Sequence, residues 1–456
     1  MGVLQALHES GRLKAVDVIS AVSGGSYTLS WYLLQQFYAH CASGGDVASA
    51  RIDDELFDPE GRFQAYVEAN ATLGGDKFDL VFGSALSAVF DGVAFNALRL
   101  FAALLRRADA AVLLNVTSAR RAYREGIQRA YQLLPGADGK PSNDHEPFLA
   151  GSIGASQHLQ LSLAQPPVTF PEMRDFASSV GLPGFVFNAT VRPPGLGGDE
   201  PLGRRIFELG SAGLGSDSCG YLTWEETEGH GWEPGADVKA GDAGFKAFLR
   251  RRTNSPFATV RSFNNASAVC GAALSGTNLT QAAVRRGLWL MNYGLEYAVP
   301  SLATPRKLLR LSDGGHSENL GVYALLRRGC RQILVVDAEF DPHFRFPSYR
   351  RLKEASRAEL GLAVRIPAID DGSFSPSVPV CVGIASAQEE VVSTIWYLKL
   401  SMDRTLLDDQ ASIVDDYARR HHDFPQESTV DQYFEPPQFR AYKALGRAIG
   451  RTIPAS

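Results

Sequence analysis

The sequence predicts an α/β fold built around a mostly parallel sheet. Two stretches carry this prediction. "VDVIS", from Val16, is a short apolar strand that leads into an amphipathic helix with Leu29, Leu33 and Phe37 in step. The stretch from Arg306 to Pro342 reads in turn as a strand, a glycine turn, a helix and the apolar strand "QILVV". The order strand, helix, strand is typical of right-handed crossovers between parallel strands. A run as apolar as "QILVV" also predicts a parallel strand that is covered on both faces.

Composition and charge narrow the class of protein. The chain has 456 residues, of which 45% are hydrophobic and 21% charged, with a formal net charge of −5. A chain of this length holds a sizeable core, and we expect one large domain over residues 1–456 with an insertion inside it. Because no basic run stands out, the sequence argues against a nucleic-acid-binding protein.

The cysteines and carboxylates predict neither a disulfide framework nor a metal site, and we expect no cofactor. The five cysteines show no CxxC spacing, and the acidic residues show no calcium-loop spacing. Scattered thiols of this kind are typical of a reducing compartment. We therefore expect an intracellular protein, either cytoplasmic or peripherally associated with a membrane.

Residues 45–180 predict a helical insertion or lid. Its most apolar part, residues 84–107, is interrupted by Asp91, Asn96 and Arg99. Three interpretations remain open for this segment: a buried or lid helix, a helix lying in a membrane interface, and a membrane-spanning helix. Residues 85–105 are the candidate for contact with a lipid surface.

Ser23 lies where the first predicted strand turns into a helix, and only small residues surround it. With Ala21 and Gly25 two positions away on either side, the pattern is A-x-S-x-G, a variant of the nucleophile elbow G-x-S-x-G. Small residues there are expected to let helix and strand approach each other, and the Gly24 N–H is the candidate oxyanion donor. The alternative is a plain glycine-rich turn or a phosphate cradle.

Asp313 is the candidate base for this serine. It ends an apolar strand and is followed by Gly314 and Gly315, which let the chain turn tightly beside the carboxylate. Ligands of open α/β sheets bind at the carboxyl ends of the strands. Two alternatives remain: Asp313 as a turn-forming residue, and His316 as a rival base in a Ser–His–Asp esterase.

Together, "ISAVSGGSYTLSWY" and "LSDGGHSENLGVYALLRR" resemble the patatin-like phospholipases and related cytosolic acylhydrolases. "FVFNATV", "NNASAVCGAALSG" and "FPQESTVDQYFEPPQFRAYKALG" also resemble segments of that family in the same order, whereas residues 45–180 match nothing. The resemblance implies a three-layer sandwich with helices on both faces and a lipid acylhydrolase that works at a membrane surface. In this reading Ser23 is the nucleophile, Asp313 is its base and His316 is structural.

One part of the family pattern is missing. Residues 2–9 already read as a helix, so the first strand and the glycine-rich oxyanion loop of the family are absent, and we expect Met1 to be an internal start. The resemblance allows a membrane anchor upstream in a full-length protein. The alternative function is therefore a catalytically impaired lipid-binding or interaction module that keeps the fold.

Overall fold

The computed structural model describes residues 1–42, 51–70, 127–135, 168–192, 200–229, 261–271, 297–300, 308–407, 410–427 and 434–454. Most of the predicted insertion at residues 45–180, including the apolar segment 84–107, lies outside these ranges. The predicted first helix is confirmed at Gly2–Glu9.

Strands and helices alternate along the described chain. The strands are β1 (Val18–Val22), β2 (Gly184–Arg192), β3 (Ile206–Gly210), β4 (Gly213–Ser216), β5 (Gly220–Thr223), β6 (Tyr297–Pro300), β7 (Leu308–Asp313), β8 (Gln332–Asp337), β9 (Ala363–Arg365), β10 (Val380–Ala387) and β11 (Glu390–Lys399). The α-helices are α1 (Gly2–Glu9), α2 (Gly24–Ala42), α3 (Asp53–Leu56), α4 (Arg62–Asn70), α5 (Phe170–Ser179), α6 (Leu202–Arg205), α7 (Glu226–Gly229), α8 (Ala266–Cys270), α9 (Val322–Arg327), α10 (Pro347–Leu360), α11 (Pro367–Asp370), α12 (Ala411–Ala418) and α13 (Pro436–Arg451). Single 3-10 or π turns lie at Arg12–Ala15, Gln128–Gln132, Phe263–Asn265, Gly314–His316 and Arg404–Leu406.

Two sheets organise these elements. The first runs in the order β5-β4-β3-β2-β7-β6, with β1 also paired to β2, and the second in the order β8-β11-β10-β9. Helices α2, α5 and α8 contact the first sheet or one another, and α9 contacts both β1 and β8. The α/β class predicted from the sequence is confirmed.

The strand directions differ from the prediction of a mostly parallel sheet. Among the described pairs, only β1 with β2 and β11 with β8 are parallel. Short connections account for two of the antiparallel pairs: two residues join β3 to β4, and Gln388 and Glu389, both with positive φ, join β10 to β11. A connection of two residues forms a hairpin and cannot make the crossover that parallel strands need.

The strand "QILVV" also differs from the prediction. It is parallel to β11, but its side chains alternate between buried and exposed, and Val336 is 46% exposed. One face of the second sheet, with Ile333 and Val335, packs against α9 and α10 in a core of its own. The expectation of burial on both faces is wrong because no layer of the described residues covers Val336.

β2 brings β1 and β7 end to end. Residues 184–188 of β2 pair with β1, residues 189–192 pair with β7 on the same edge, and β3 occupies the opposite edge. β1 is parallel to β2 and β7 is antiparallel to it, so the carboxyl ends of β1 and β7 point at each other. Val22 pairs with Asn188 and Asp313 with Ala189, which places the two strand ends at adjacent positions of β2.

The side chains of β2 alternate between two environments. Phe185, Phe187 and Ala189 are fully buried in the larger core with α2, α5 and α8. Asn188 and Thr190 point to the opposite face, as the period of a strand requires. The apolar face of β2 therefore anchors the strand, while its polar face is available to the loop that follows β7.

None of the helices within the described ranges combines the length and apolar character that crossing a membrane requires.

We predict that Gly314→Ala destabilises the protein by about 1–3 kcal/mol, as overpacking of a tight site does. A Cβ at Gly314 would lie 2.1 Å from the main-chain oxygen of Asn188 and 3.0 Å from Val22 Cγ1. The matched control is Gly25→Ala, whose Cβ meets no atom within 4 Å. Urea unfolding of both variants measures the difference, and equal stability would contradict the strand-end packing.

Candidate active site

Ser23 and Asp313 lie within hydrogen-bonding distance although 290 positions separate them. The Ser23 hydroxyl Oγ donates to Asp313 Oδ2 at 2.8 Å. The meeting of β1 and β7 on β2 accounts for the contact, because Ser23 directly follows β1 and Asp313 is the last residue of β7. The two residues singled out from the sequence are therefore brought together. They do not, however, share the carboxyl edge of a parallel sheet.

Ser23 occupies a strained turn. Its φ is +47°, a left-handed conformation that few residues other than glycine adopt. Its main-chain oxygen accepts the Ser26 N–H at 2.9 Å and also the Ser26 hydroxyl, so the first turn of α2 holds the strained residue in place. This geometry is that of a nucleophile elbow, in which a sharp strand-to-helix turn presents the serine hydroxyl.

The carboxylate of Asp313 is held from two sides and is 4% exposed. Oδ2 accepts the Ser23 hydroxyl, and Oδ1 accepts the Gly315 N–H at 2.6 Å. Burial raises the pKa of Asp313 to about 6, and the hydrogen bonds from Ser23 and Gly315 oppose that rise. A carboxylate of this basicity is ionised at neutral pH and is a better proton acceptor than an exposed aspartate.

The space beside Gly24 and Gly25 is open. Both residues are exposed, and a Cβ on either one would meet no atom within 4 Å. Gly24 is the first residue of α2, and the N–H groups of a first helical turn have no acceptor within the helix. The role of the Gly24 N–H as an oxyanion donor stays a prediction, and the positive end of the α2 dipole lies at this residue.

The sequence predicts that positions 21 and 25 are small so that helix and strand can approach each other, and the structure supports this reason at only one of the two positions. Ala21 is buried, but Gly25 has free space around it, so close helix–strand packing does not explain Gly25. The tight glycines instead follow Asp313. A Cβ on Gly314 would strike β2, and a Cβ on Gly315 would lie 2.6 Å from Asn319 Oδ1.

His316 lies in the same loop but its ring interacts elsewhere. Its Nδ1 is 3.2 Å from Ser312 Oγ, and its main-chain oxygen accepts from Arg205 at 2.6 Å. The single hydroxyl hydrogen of Ser23 is already donated to Asp313. In this geometry His316 does not act as the hydrogen-bond acceptor of Ser23.

Two polar residues of β2, not singled out from the sequence, hold the strand ends together. The Asn188 side-chain amide donates to Ser20 Oγ at 2.9 Å and to the Ala21 oxygen at 3.0 Å. The Thr190 hydroxyl donates to the Gly314 oxygen at 3.3 Å. The stretch "FVFNATV" does show two polar residues alternating with apolar ones on a strand. Their role in holding the strand ends could not be predicted from this pattern, because it depends on which strands flank β2.

Glu318 fixes the far end of the loop after Asp313. It is buried, and its carboxylate accepts the Leu320 N–H at 2.7 Å ahead of α9. Burial raises its pKa to about 7, while the N–H groups of residues 320–323 favour the ionised form. The loop is thus tied down at both ends, which limits the movement of Asp313.

The described residues hold no group of three or more His, Cys, Asp or Glu side chains that could bind a metal ion. All five cysteines are free thiols. Cys270 is fully buried, and its thiol pKa is raised by burial and then by the Asp313 charge. The negative charge of Asp313 therefore acts on the Cys270 thiol of α8, the helix that packs over β2 and β7.

Comparison with known proteins adds a fold relationship. No family model and no curated protein matches the chain. Among solved structures, human GIVD cytosolic phospholipase A2 is similar with a TM-score of 0.51 at 13% identity. The match covers 99% of this chain and 58% of that chain, so the chain spans little more than half of its length. At this identity the similarity establishes a phospholipase-like α/β fold alone.

We predict that Asp313→Asn stabilises the protein at pH 8 by about 1–3 kcal/mol, because it removes a buried charge whose pKa is raised from 3.8 to about 6. The amide oxygen can still accept the Gly315 N–H. The parent gains stability as the pH falls through about 6, since its folded carboxyl binds a proton before the unfolded one. Urea unfolding at pH 8 and pH 5 should show the advantage of the variant shrinking at pH 5. A variant less stable than the parent at pH 8 would contradict the assignment of a destabilised carboxylate.

Proposed function

We propose that this chain is a serine acylhydrolase that cleaves acyl esters of phospholipids or related lipids through a Ser23–Asp313 dyad. The observation that carries the proposal is the 2.8 Å hydrogen bond from the Ser23 hydroxyl to a buried carboxylate at a strained turn. The fold similarity to a cytosolic phospholipase A2 supports lipid esters as the substrate class. The resemblance of the Ser23 and Asp313 motifs to patatin-like phospholipases supports the same class.

The reaction needs only these two side chains and the open face beside Gly24. Ser23 Oγ attacks the ester carbonyl carbon while its proton passes to Asp313 Oδ2. The carbonyl oxygen becomes an oxyanion that accepts the Gly24 N–H. When the tetrahedral intermediate collapses, the alcohol leaves with the proton from Asp313, and an acyl-enzyme on Ser23 remains.

In the hydrolysis of the acyl-enzyme, water is the nucleophile and Ser23 Oγ is the leaving group. Asp313 removes a proton from water as the water oxygen attacks the acyl carbon, and the second oxyanion again accepts the Gly24 N–H. Collapse releases the fatty acid and returns the proton to Ser23 Oγ. The raised pKa of Asp313 suits both proton transfers, because a stronger base removes the proton more readily and still releases it at neutral pH.

We predict that Ser23→Ala abolishes covalent labelling by a fluorophosphonate and reduces ester hydrolysis at least about 10³-fold, since the nucleophile is lost. Ser178→Ala is the matched control, because this exposed serine of α5 is not part of the site. Mass spectrometry of labelled peptides measures the site. Equal labelling of parent and Ser23→Ala protein would reject the nucleophile. Full labelling of the parent without turnover would favour the lipid-binding module over the enzyme.

The pH dependence tests whether the reaction needs an ionised base with a pKa near 6, and the His316→Ala variant identifies that base, because an ordinary histidine titrates close to the same pH. We expect kcat/KM for a soluble ester to rise with pH and level off above about 6, because only the ionised Asp313 accepts the proton. Below that point, activity should fall about tenfold per pH unit.

His316→Ala tests the rival base directly. We expect this variant to keep kcat/KM within about threefold and to keep the same pH profile, because the His316 ring contacts Ser312 rather than Ser23. Loss of turnover with intact folding would instead establish a Ser–His–Asp esterase.

A further inference from the structure

The loop and first helical turn after β8, residues 338–351, lie at the end of the molecule that holds the dyad. Helix α9 leads away from the loop that follows Asp313, and β8 returns towards it. The contact between Arg351 and this loop confirms the placement, since Arg351 Nη1 donates to the Ser317 oxygen at 3.2 Å. We call residues 338–351 the aromatic–basic surface.

The backbone of this surface is held in an unusual shape. Phe344 and Phe346 have φ values of +49° and +52°, left-handed conformations that are rare for aromatic residues. The buried Asp341 carboxylate stabilises them by accepting the N–H groups of Arg345 at 3.0 Å and Phe346 at 2.7 Å. Strain of this kind persists only where the surroundings impose it, and it is typical of functional segments.

The shape leaves large apolar side chains in solvent. Phe340 is 46% exposed, and Phe344 is partly exposed against Phe374 with ring centroids 5.2 Å apart. Val378, 59% exposed, precedes β10 at the same end of the second sheet. Further exposed apolar residues lie along the strands of the second sheet, for example Val336 and Val382, so Phe340 and Val378 belong to a larger apolar face of the kind that marks interaction sites.

Within residues 338–351, the exposed charged side chains all carry the same sign. Arg345, Arg350 and Arg351 are exposed. The two acidic residues of the surface face inward: Asp341 is buried, and the partly buried Glu339 accepts the Ser348 hydroxyl at 2.7 Å. The surface is therefore cationic although the chain carries a net charge of −5.

We infer that the aromatic–basic surface docks onto an anionic lipid bilayer and holds the dyad at the lipid–water interface. Aromatic rings insert at the headgroup level while arginines pair with anionic headgroups, a combination that a neutral or apolar partner would not favour. The inference rests on the proposed function, since a hydrolase of membrane lipids must meet its substrate at that interface.

The test uses the full chain carrying Ser23→Ala, so that turnover does not alter the lipid. Its binding to vesicles of phosphatidylcholine with about 30% phosphatidylglycerol, and to pure phosphatidylcholine, is measured by sedimentation at low and high salt. We expect binding to the anionic vesicles to weaken with salt, and Arg345→Glu with Arg350→Glu to weaken it at least about 20-fold. Phe340→Ser should weaken it about tenfold by removing the inserted ring.

Matched controls lie at the opposite end of the second sheet. Arg331→Glu with Arg357→Glu, directly before β8 and in the last turn of α10, changes the net charge equally, and Val391→Ser removes an apolar side chain that is 52% exposed. Both controls should bind within about twofold of the parent. Equal loss in the control and surface variants, or unchanged binding in the surface variants, would overturn the inference. So would a change of oligomeric state caused by Arg345→Glu with Arg350→Glu, which would assign the surface to a second copy of the chain.

Hydrolysis of a soluble ester separates this inference from the proposed function. With Ser23 intact, the surface variants should hydrolyse the ester as fast as the parent while losing vesicle binding. Vesicle binding without any ester hydrolysis by the parent would reject the proposed function and leave the docking surface standing.

Discussion

The structure depends on one strand, β2, pairing with two strands along the same edge. β1 and β7 approach from opposite directions and end at Asn188 and Ala189, so Ser23 and Asp313 meet where the two ladders stop. This arrangement aligns the Ser23 hydroxyl with the Asp313 carboxylate. The backbone pairing of β1 and β7 with β2 sets the distance between Ser23 and Asp313. The Asn188 and Thr190 side chains hold the ends of β1 and β7 to β2. A shift of one residue in either ladder would separate the hydroxyl from the carboxylate.

Burial of Asp313 lowers the stability of the folded protein and increases the basicity of the carboxylate. Taking a carboxylate out of water raises its pKa, and the fold accepts that unfavourable term because Ser23 and the Gly315 N–H partly solvate the charge. The same desolvation makes the carboxylate a stronger base. The strained φ of Ser23 is a second local cost that presents the hydroxyl to the open face beside Gly24. Both features are concentrated where the chain turns sharply, and the apolar face of β2 supplies the packing that offsets them.

Local patterns in the sequence singled out Ser23 and Asp313, and the structure places the two side chains within hydrogen-bonding distance. A hydroxyl in a strand-to-helix turn and a carboxylate before two glycines are short-range signals, and the α/β class followed from strand and helix periodicity. The pairing between strands could not be predicted from local patterns of this kind. The prediction of a mostly parallel sheet was wrong because the relative direction of two strands depends on the length of their connection and on partner strands far along the chain. The roles of Asn188 and Thr190 were missed for the same reason, since a polar residue on a strand gains meaning only from its neighbours.

The most direct test of this account is a crystal structure of the protein after reaction with a fluorophosphonate lipid analogue. The account predicts phosphorus bonded to Ser23 Oγ, a phosphonyl oxygen within about 3.2 Å of the Gly24 nitrogen, and Asp313 Oδ2 still beside Oγ. Attachment to a different residue, or an Asp313 side chain turned away from a modified Ser23, would contradict it.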